Sequence, residues 1–330
     1  MGFTHFPHGI TSMGAPVVGA GRLTDLFNSE NIFFVDGDLS GSSSSQDGLT
    51  PATAVSKPSE AVSKATRGAM IYVRPRTTTA SAQTYYVDNI TIPKTKPGIS
   101  IVGCGNVTGA SAGVQLKPST VTDHLITVNG AGALFENMRL TLTGGTADVD
   151  KCIINAVRDV AATRVVADLT VRYCRLENDK SHPSYSGTNA VGAIGLGSAN
   201  YVVIEYNTFS QCLGSIVSQE TNGVTRDLTI RGNIFGGLPA NRDVDIWLSL
   251  GASYNINICN NLFADGLPAH SGGSVGRFIK IEGATAVGLV SGNSFATTTD
   301  SFTSAGSQAV IPDTFFVARN YFNNGLCTGA

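Results

Sequence analysis

Charged side chains are scarce: they make up 14% of the 330 residues, against roughly 25% in ordinary globular domains. The formal net charge is −2, which exerts no general pull on nucleic acid or an anionic membrane. No apolar run is long enough to cross a bilayer as a helix. The first residues show neither the basic stretch nor the apolar core of a secretory signal, and Phe6 stands where N-myristoylation after Gly2 wants Ser or Thr. Cys104, Cys152, Cys174, Cys212, Cys259 and Cys327 show no CxxC or zinc-finger spacing. Reduced thiols, in a chain folded in a cytoplasm, are the simpler reading. His5, His8, His124, His182 and His270 form no HExxH and no i, i+4 pair. The glycine-rich stretches open no helix, so phosphate-loop and dinucleotide fingerprints fail. No cofactor and no metal ligand set is expected from these residues.

Glycine (38 residues) and apolar side chains (42%) are plentiful, enough for a long core. Their order is periodic. Aligned on Leu140, Leu176, Phe209, Phe235, Phe263, Phe295 and Phe322, the chain repeats at spacings of 36, 33, 26, 28, 32 and 27 residues. Five residues before each anchor stand Phe135, Val171, Ile204, Ile230, Ile258, Val290 and Val317, and the residue two further back is mostly apolar, all without a gap. That is the two-residue period of a strand with one buried face. A short strand cannot bury its face alone, so successive repeats must stack. Helical repeats do not fit these windows, and the consensus of leucine-rich repeats is missing. The pattern predicts an all-β chain, a single-stranded right-handed parallel β-helix with coils roughly 4.8 Å apart.

Two residues before the anchor, Met138 and Cys174 are followed by Asn207, Asn233, Asn261, Asn293 and Asn320. In stacked coils these amides form one interior column, each bonding the next or the turn backbone. An unpaired buried amide costs about 1–3 kcal/mol, so the ladder is tolerable only if continuous. Its role is structural. On the outward parity, Glu136, Arg172, Glu205 and Arg231 alternate in sign and are expected as a surface ion-pair ladder, worth about 0–1 kcal/mol per pair.

A solenoid exposes core at both ends, and each must be covered. In SKPSEAVSKATRGA (56–69) Pro58 suits a first helical turn, Ala61, Val62 and Ala65 share a face, and Gly68 suits the stop. This short helix is expected to plug the first coil. The segment FFVDGDLSGSSSSQDGLTPATAVSKPSEAV (33–62), followed by AMIYVRP, resembles the N-terminal cap of pectate-lyase-like right-handed β-helix proteins. MGFTHFPHGITSMGAPVVGAG (1–21), with Phe3, Phe6, Ile10, Val17 and Val18, resembles the opening segments of β-helical virion proteins of tailed phages, including trimeric cement proteins on the heads of short-tailed cyanophages. The resemblance implies a homotrimer docked on a major capsid protein, assembled in the host cytoplasm and resident on the virion. The organisation expected is an extended arm over 1–22, a cap with a short helix over 23–68, and a β-helix of roughly nine rungs over 69–330, about 40 Å long.

Chemistry has few footholds. Asp243 and Asp245 are the candidate acid pair for a lyase or glycosidase, with a solvated strand entrance as the plainer reading. In DGDLSGSSSSQD (36–47), Asp36, Asp38 and Asp47 sit at EF-hand calcium positions, but no helix enters and the last ligand is not Glu. A cap turn is the alternative. Trp247 is expected on the outer face, as a sugar platform or as packing against another protomer. Val203, Leu289 and Phe316, six before their anchors, are outward apolar residues expected at the trimer contact. The preferred reading is a non-enzymatic capsid decoration protein, without catalytic residues, cofactor, metal, nucleic acid or membrane; the alternative is a tailspike or polysaccharide depolymerase.

Overall fold

The computed structural model describes residues 10–12, 15–18, 31–77, 85–105, 113–119, 123–142, 151–156, 166–178, 192–197, 199–212, 214–236, 244–264, 277–282, 286–296, 309–322 and 325–327. They form a parallel β-helix. Each coil contributes strands to three faces, called here leading, middle and trailing in chain order. One coil shows the pattern: Ile194–Leu196 is leading, Ala199–Glu205 middle and Thr208–Ser210 trailing. In the next two coils the leading and middle strands run on without a break, as Gly214–Arg231 and Val244–Cys259.

The sequence windows superpose residue on residue. On the middle face Phe135 pairs with Val171, then in turn come Ile204, Ile230, Ile258, Val290 and Val317. On the trailing face Leu140, Leu176, Phe209, Phe235, Phe263, Phe295 and Phe322 pair in succession. The leading face carries a third column, Ile90, Ile126, Ile154, Ile194, Ile216, Ile246 and Ile279. The described side chains of these columns form one continuous core, in which Phe209, Phe235, Phe263 and Phe295 stack nearly parallel at 4.7–4.9 Å. Parallel stacking puts like on like, so β-branched and aromatic side chains fill each layer.

The parallel ladder starts earlier than the expected boundary at residue 69. Ile32–Val35, within the stretch read as cap, already pairs in register with Met70–Val73. The helix spans Pro58–Lys64 and buries Pro58, Ala61 and Val62, with Ala65 buried just beyond its end. Side chains from the coil beneath satisfy both its ends. Ser59 N–H donates to Asp88 Oδ2 (2.7 Å), and Lys96 Nζ donates to the carbonyls of Val62 (2.9 Å) and Ser63 (2.6 Å). Gly68 is not the helix stop, because the helix ends at Lys64. Gly68 instead has φ +74° and opens a column of left-handed residues continued by Gly98 and Gly132. Within the segment expected as an extended arm, Ile10–Ser12 and Ala15–Val18 pair antiparallel, with Ile10 opposite Val18. Phe3 and Phe6 lie outside the described residues. At the far end Gly325–Cys327 folds back antiparallel on Asn320–Phe322.

The asparagine column is complete and buried. Asn207, Asn233, Asn261 and Asn293 each donate Nδ2–H to the Oδ1 of the next asparagine, at 2.9–3.1 Å. The second Nδ2 proton goes to a backbone carbonyl of the coil before: Val171, Ile204, Ile230 and Ile258 in order, and Val290 for Asn320. Each Oδ1 from Asn233 to Asn320 also accepts the backbone N–H of the preceding asparagine, at 2.9–3.1 Å. Both donors and both lone pairs are therefore used in the interior of the column. Cys174 takes the place above: its N–H donates to Asn207 Oδ1 (2.9 Å), and burial pushes its thiol pKa up to about 12.

The residue before each column member explains why an amide is needed. Asn137, Tyr173, Tyr206, Gly232, Asn260, Gly292 and Arg319 all have φ between 54° and 67°. One left-handed residue turns the chain sharply from the middle to the trailing face. That conformation costs roughly 1–2 kcal/mol for a residue with a Cβ. The next side chain then ties the bent backbone to the coils on both sides. Glycine at 232 also makes room, since a Cβ there would lie 2.6 Å from the Tyr206 ring.

Asn261→Ala removes the acceptor of Asn233 and the donor to Ile230 and Asn293. With several buried groups left unpaired, the expected loss is about 3 kcal/mol or more in chemical denaturation. A loss below about 1 kcal/mol would mean that solvent replaces the amide and the column is not the constraint described.

Candidate functional site

Three regions compete as the functional site. The first is the aspartate-rich cap loop. Asp36 is buried, and its Oδ2 meets Arg74 Nη1 at 2.7 Å while its Oδ1 accepts the Asp38 N–H at 3.0 Å. Asp38 Oδ1 accepts from Arg76 Nε at 3.0 Å. Burial works against its carboxylate, but hydrogen bonds from Thr77 and Arg76 outweigh that and hold its pKa below the ordinary value. Asp47 points elsewhere, accepting from Leu49 N–H (3.0 Å) and the Thr53 hydroxyl (2.5 Å). Two arginines occupy the oxygens that a cation would need, and the third carboxylate is bonded to Thr53, in a short 3-10 turn at Pro51–Thr53 that Thr50 caps. The arrangement is that of a cap turn. It covers a satellite cluster of Phe34, Ala54, Tyr72 and Cys104 on the outside of the first coils. Among the described residues no three His, Cys, Asp or Glu side chains gather as a metal site requires.

The second region surrounds the candidate acid pair. Asp243 lies outside the described residues. Asp245 is not at a solvated strand entrance, because it is 1% exposed and accepts from the Ser215 hydroxyl at 3.3 Å. Trp247 is not a free platform either. It packs with Val217 and Val244, donates its indole N–H to Glu282 (2.9 Å), and has the Lys280 ammonium 4.1 Å above the ring. The partners come from the following coil, 33 and 35 residues on, which is why local sequence gave no sign of them.

The third region is the exterior of the middle and trailing faces. The charge ladder takes shape as pairs: Arg172 with Glu136 at 2.8 Å and Arg231 with Glu205 at 2.6 Å. It is not a freely solvated ladder, since Glu205 is buried. Further out on the same face, Val203 and Leu289 are half-buried and Phe316 is 69% exposed, and Leu289 and Phe316 pair directly. The trailing face adds a line that was not singled out from sequence. Ile234, Leu262, Ser294 and Tyr321 stack in register one residue before the anchors, with Ile234 and Leu262 each 42% exposed and Tyr321 47%. The signal lay within the same windows, at the position next to the asparagine. Val203, Leu289, Phe316, Ile234, Leu262, Ser294 and Tyr321 offer packing surface without a charged side chain.

No protein-family model matches the chain, and no curated protein matches its sequence.

The described cysteines, Cys104, Cys152, Cys174, Cys212 and Cys259, are not in disulfides. His124 is the described histidine, and it is structural: its Nδ1 accepts the Cys152 N–H at 2.9 Å. Burial, helped by nearby Lys151, drives its pKa down to about 4.

Two outcomes are expected. With Asp36 and Asp38 held by arginines, millimolar calcium leaves the melting temperature unchanged; a rise of several degrees would show that a cation displaces Arg74 and Arg76. The second concerns acid. Unfolded His124 gains its proton near pH 6.5, folded His124 only near 4, so its contribution is full above pH 6.5 and is lost as pH falls through 4. The gap corresponds to about 3 kcal/mol. Denaturation between pH 7 and 4 should show a shallower decline in His124→Asn, which keeps an acceptor for Cys152 but cannot titrate. An unaltered slope would remove His124 from the acid response.

Proposed function

We propose that this chain is a non-enzymatic structural virion protein, a homotrimer that decorates and cements the capsid of a tailed phage. The observation that carries the reading is Phe316, 69% exposed on the outward side of the middle face beside its register partner Leu289, with Val203 in the same column beyond Thr229 and Asn257. Large exposed apolar lines on a soluble rod mark association surfaces. Support also comes from the sequence resemblance of residues 33–62 to a pectate-lyase-like cap and of residues 1–21 to the opening segments of phage β-helical proteins. The arm, with Ile10, Val17 and Val18 in its hairpin, is the part we assign to the major capsid protein. Cysteines outside disulfides fit assembly in a reducing host cytoplasm. The depolymerase reading has less to work with, because the Asp245 carboxylate sits inside, bonded to Ser215.

Particle imaging decides the location. Density at capsid threefold positions is expected; density at the tail would support a spike, and its absence from the particle would remove both. Release of reducing ends from a host surface glycan, lost in Asp243→Asn with Asp245→Asn, would overturn the non-enzymatic assignment. Phe316→Asp should lower the mass in light scattering from three chains towards one, and an unchanged mass would count against that contact.

A further inference from the structure

The trailing face changes character along the rod. One residue before the anchors, Arg139, Arg175 and Thr208 stack in register; Ile234 and Leu262 continue the column, and Tyr321 closes it two coils on. Lys117 stands one residue past the anchor position in the coil before Arg139, since Leu116 pairs with Leu140. The strands of this face thus carry three cations on three successive coils, and among the described residues Glu177 is their one carboxylate. In a chain of net charge −2 that is a local concentration of positive charge.

Glu177 orders these cations without cancelling them. Its Oε2 accepts from Arg139 Nε and Nη2 at 3.2 and 2.8 Å, and its Oε1 accepts from Arg175 Nε at 2.7 Å. The Glu177 side chain is 7% exposed, while that of Arg175 is 34% exposed and keeps its Nη groups without a partner among the described residues. Lys117 has no carboxylate partner among them either, and its ammonium lies 4.3 Å from the centroid of the Tyr85 ring. At about 4.8 Å per coil, Lys117 and Arg175 stand roughly 10 Å apart along the rod, within reach of one segment of a partner.

The rest of the face selects the class of that partner. Nucleic acid gains affinity by having many phosphates neutralised, and three cations around a carboxylate are a poor footing for it. An anionic glycan answers the cations but offers nothing to Ile234, Leu262 and Tyr321, which are 42%, 42% and 47% exposed further along the same face. Among biological polymers, a polypeptide carries carboxylates and large apolar side chains in one segment.

We propose that the trailing face is a docking surface for an acidic segment of another protein, with Asp or Glu side chains on Lys117 and Arg175 and apolar side chains on Ile234 and Leu262. It is separate from the contact assigned to Phe316, which lies on the middle face.

Fluorescence anisotropy of poly(Glu,Tyr), a random acidic and aromatic copolymer, tests this with the full chain, beside poly(Glu), heparin and oligo-dT. The wild type is expected to bind poly(Glu,Tyr) more tightly than the other three. Lys117→Gln with Arg175→Gln should weaken that binding about fivefold, whereas Arg226→Glu, an equal change of charge at an exposed position off this face, should not. Thr208→Glu adds a carboxylate beside Arg175 and Ile234, removes no core side chain, and should weaken binding in the same sense. Leu262→Ser should weaken poly(Glu,Tyr) and leave poly(Glu) as it was; indifference of poly(Glu,Tyr) to it would strike the apolar half and the choice of polypeptide with it. No binding of poly(Glu,Tyr), no loss in the double variant or in Thr208→Glu, an equal loss in Arg226→Glu, or tighter binding of heparin or oligo-dT would each overturn the assignment.

Discussion

The column of buried amides from Asn207 to Asn320 is the constraint on which the rest of the rod depends. A sharp corner in a stack of strands leaves backbone N–H and C=O groups turned away from the sheet hydrogen bonds, and such groups must find partners. Each asparagine offers two donors and an acceptor at the height of the bend, and shares them between the coils on either side. Because every amide–amide bond spans two coils, none can be optimal unless its neighbours are in register. The column thus converts a local turn problem into a register lock over the five coils it spans. The phenylalanine stack beside it, at 4.7–4.9 Å, reinforces the same alignment with dispersion.

Much of this was legible in the sequence because stacking imposes strict equivalence within a window and none outside it. The anchor and the apolar residue five before it keep their offsets in all seven windows, and the asparagine two before it in the last five, while the spacing between anchors varies from 26 to 36 residues. What escaped depends on neighbours a coil away. Asp245 looked solvated because an acidic residue near a strand start usually is, and its burial beside Ser215 depends on a partner 30 residues earlier. Trp247 looked exposed for the same reason, until Lys280 and Glu282 of the next coil cover it. Ile234, Leu262 and Tyr321 were not singled out from sequence, although their offset is as regular as that of the asparagines. The arginines that take up Asp36 and Asp38 likewise stand 38 residues downstream.

The cap shows the same economy of partners. Its helix has only seven residues, too short to be stable alone, and it persists because the coil beneath caps both ends and receives its apolar face. The loop before it uses carboxylates to hold Arg74 and Arg76 in place. Arg74, Arg76, Arg139, Arg172, Arg175 and Arg231 are likewise each paired with a carboxylate of the chain itself.

Left-handed corners that recur at a fixed offset make the coil, not the residue, the unit of change. An insertion between windows lengthens a loop and leaves the cross-section untouched, whereas one residue added between corner and anchor would throw every outward side chain inward. Duplication or excision of a whole coil, cut from one asparagine to the next, would rejoin the ladder without a seam. The height of such a rod can therefore drift in evolution while its girth and its corner stay the same.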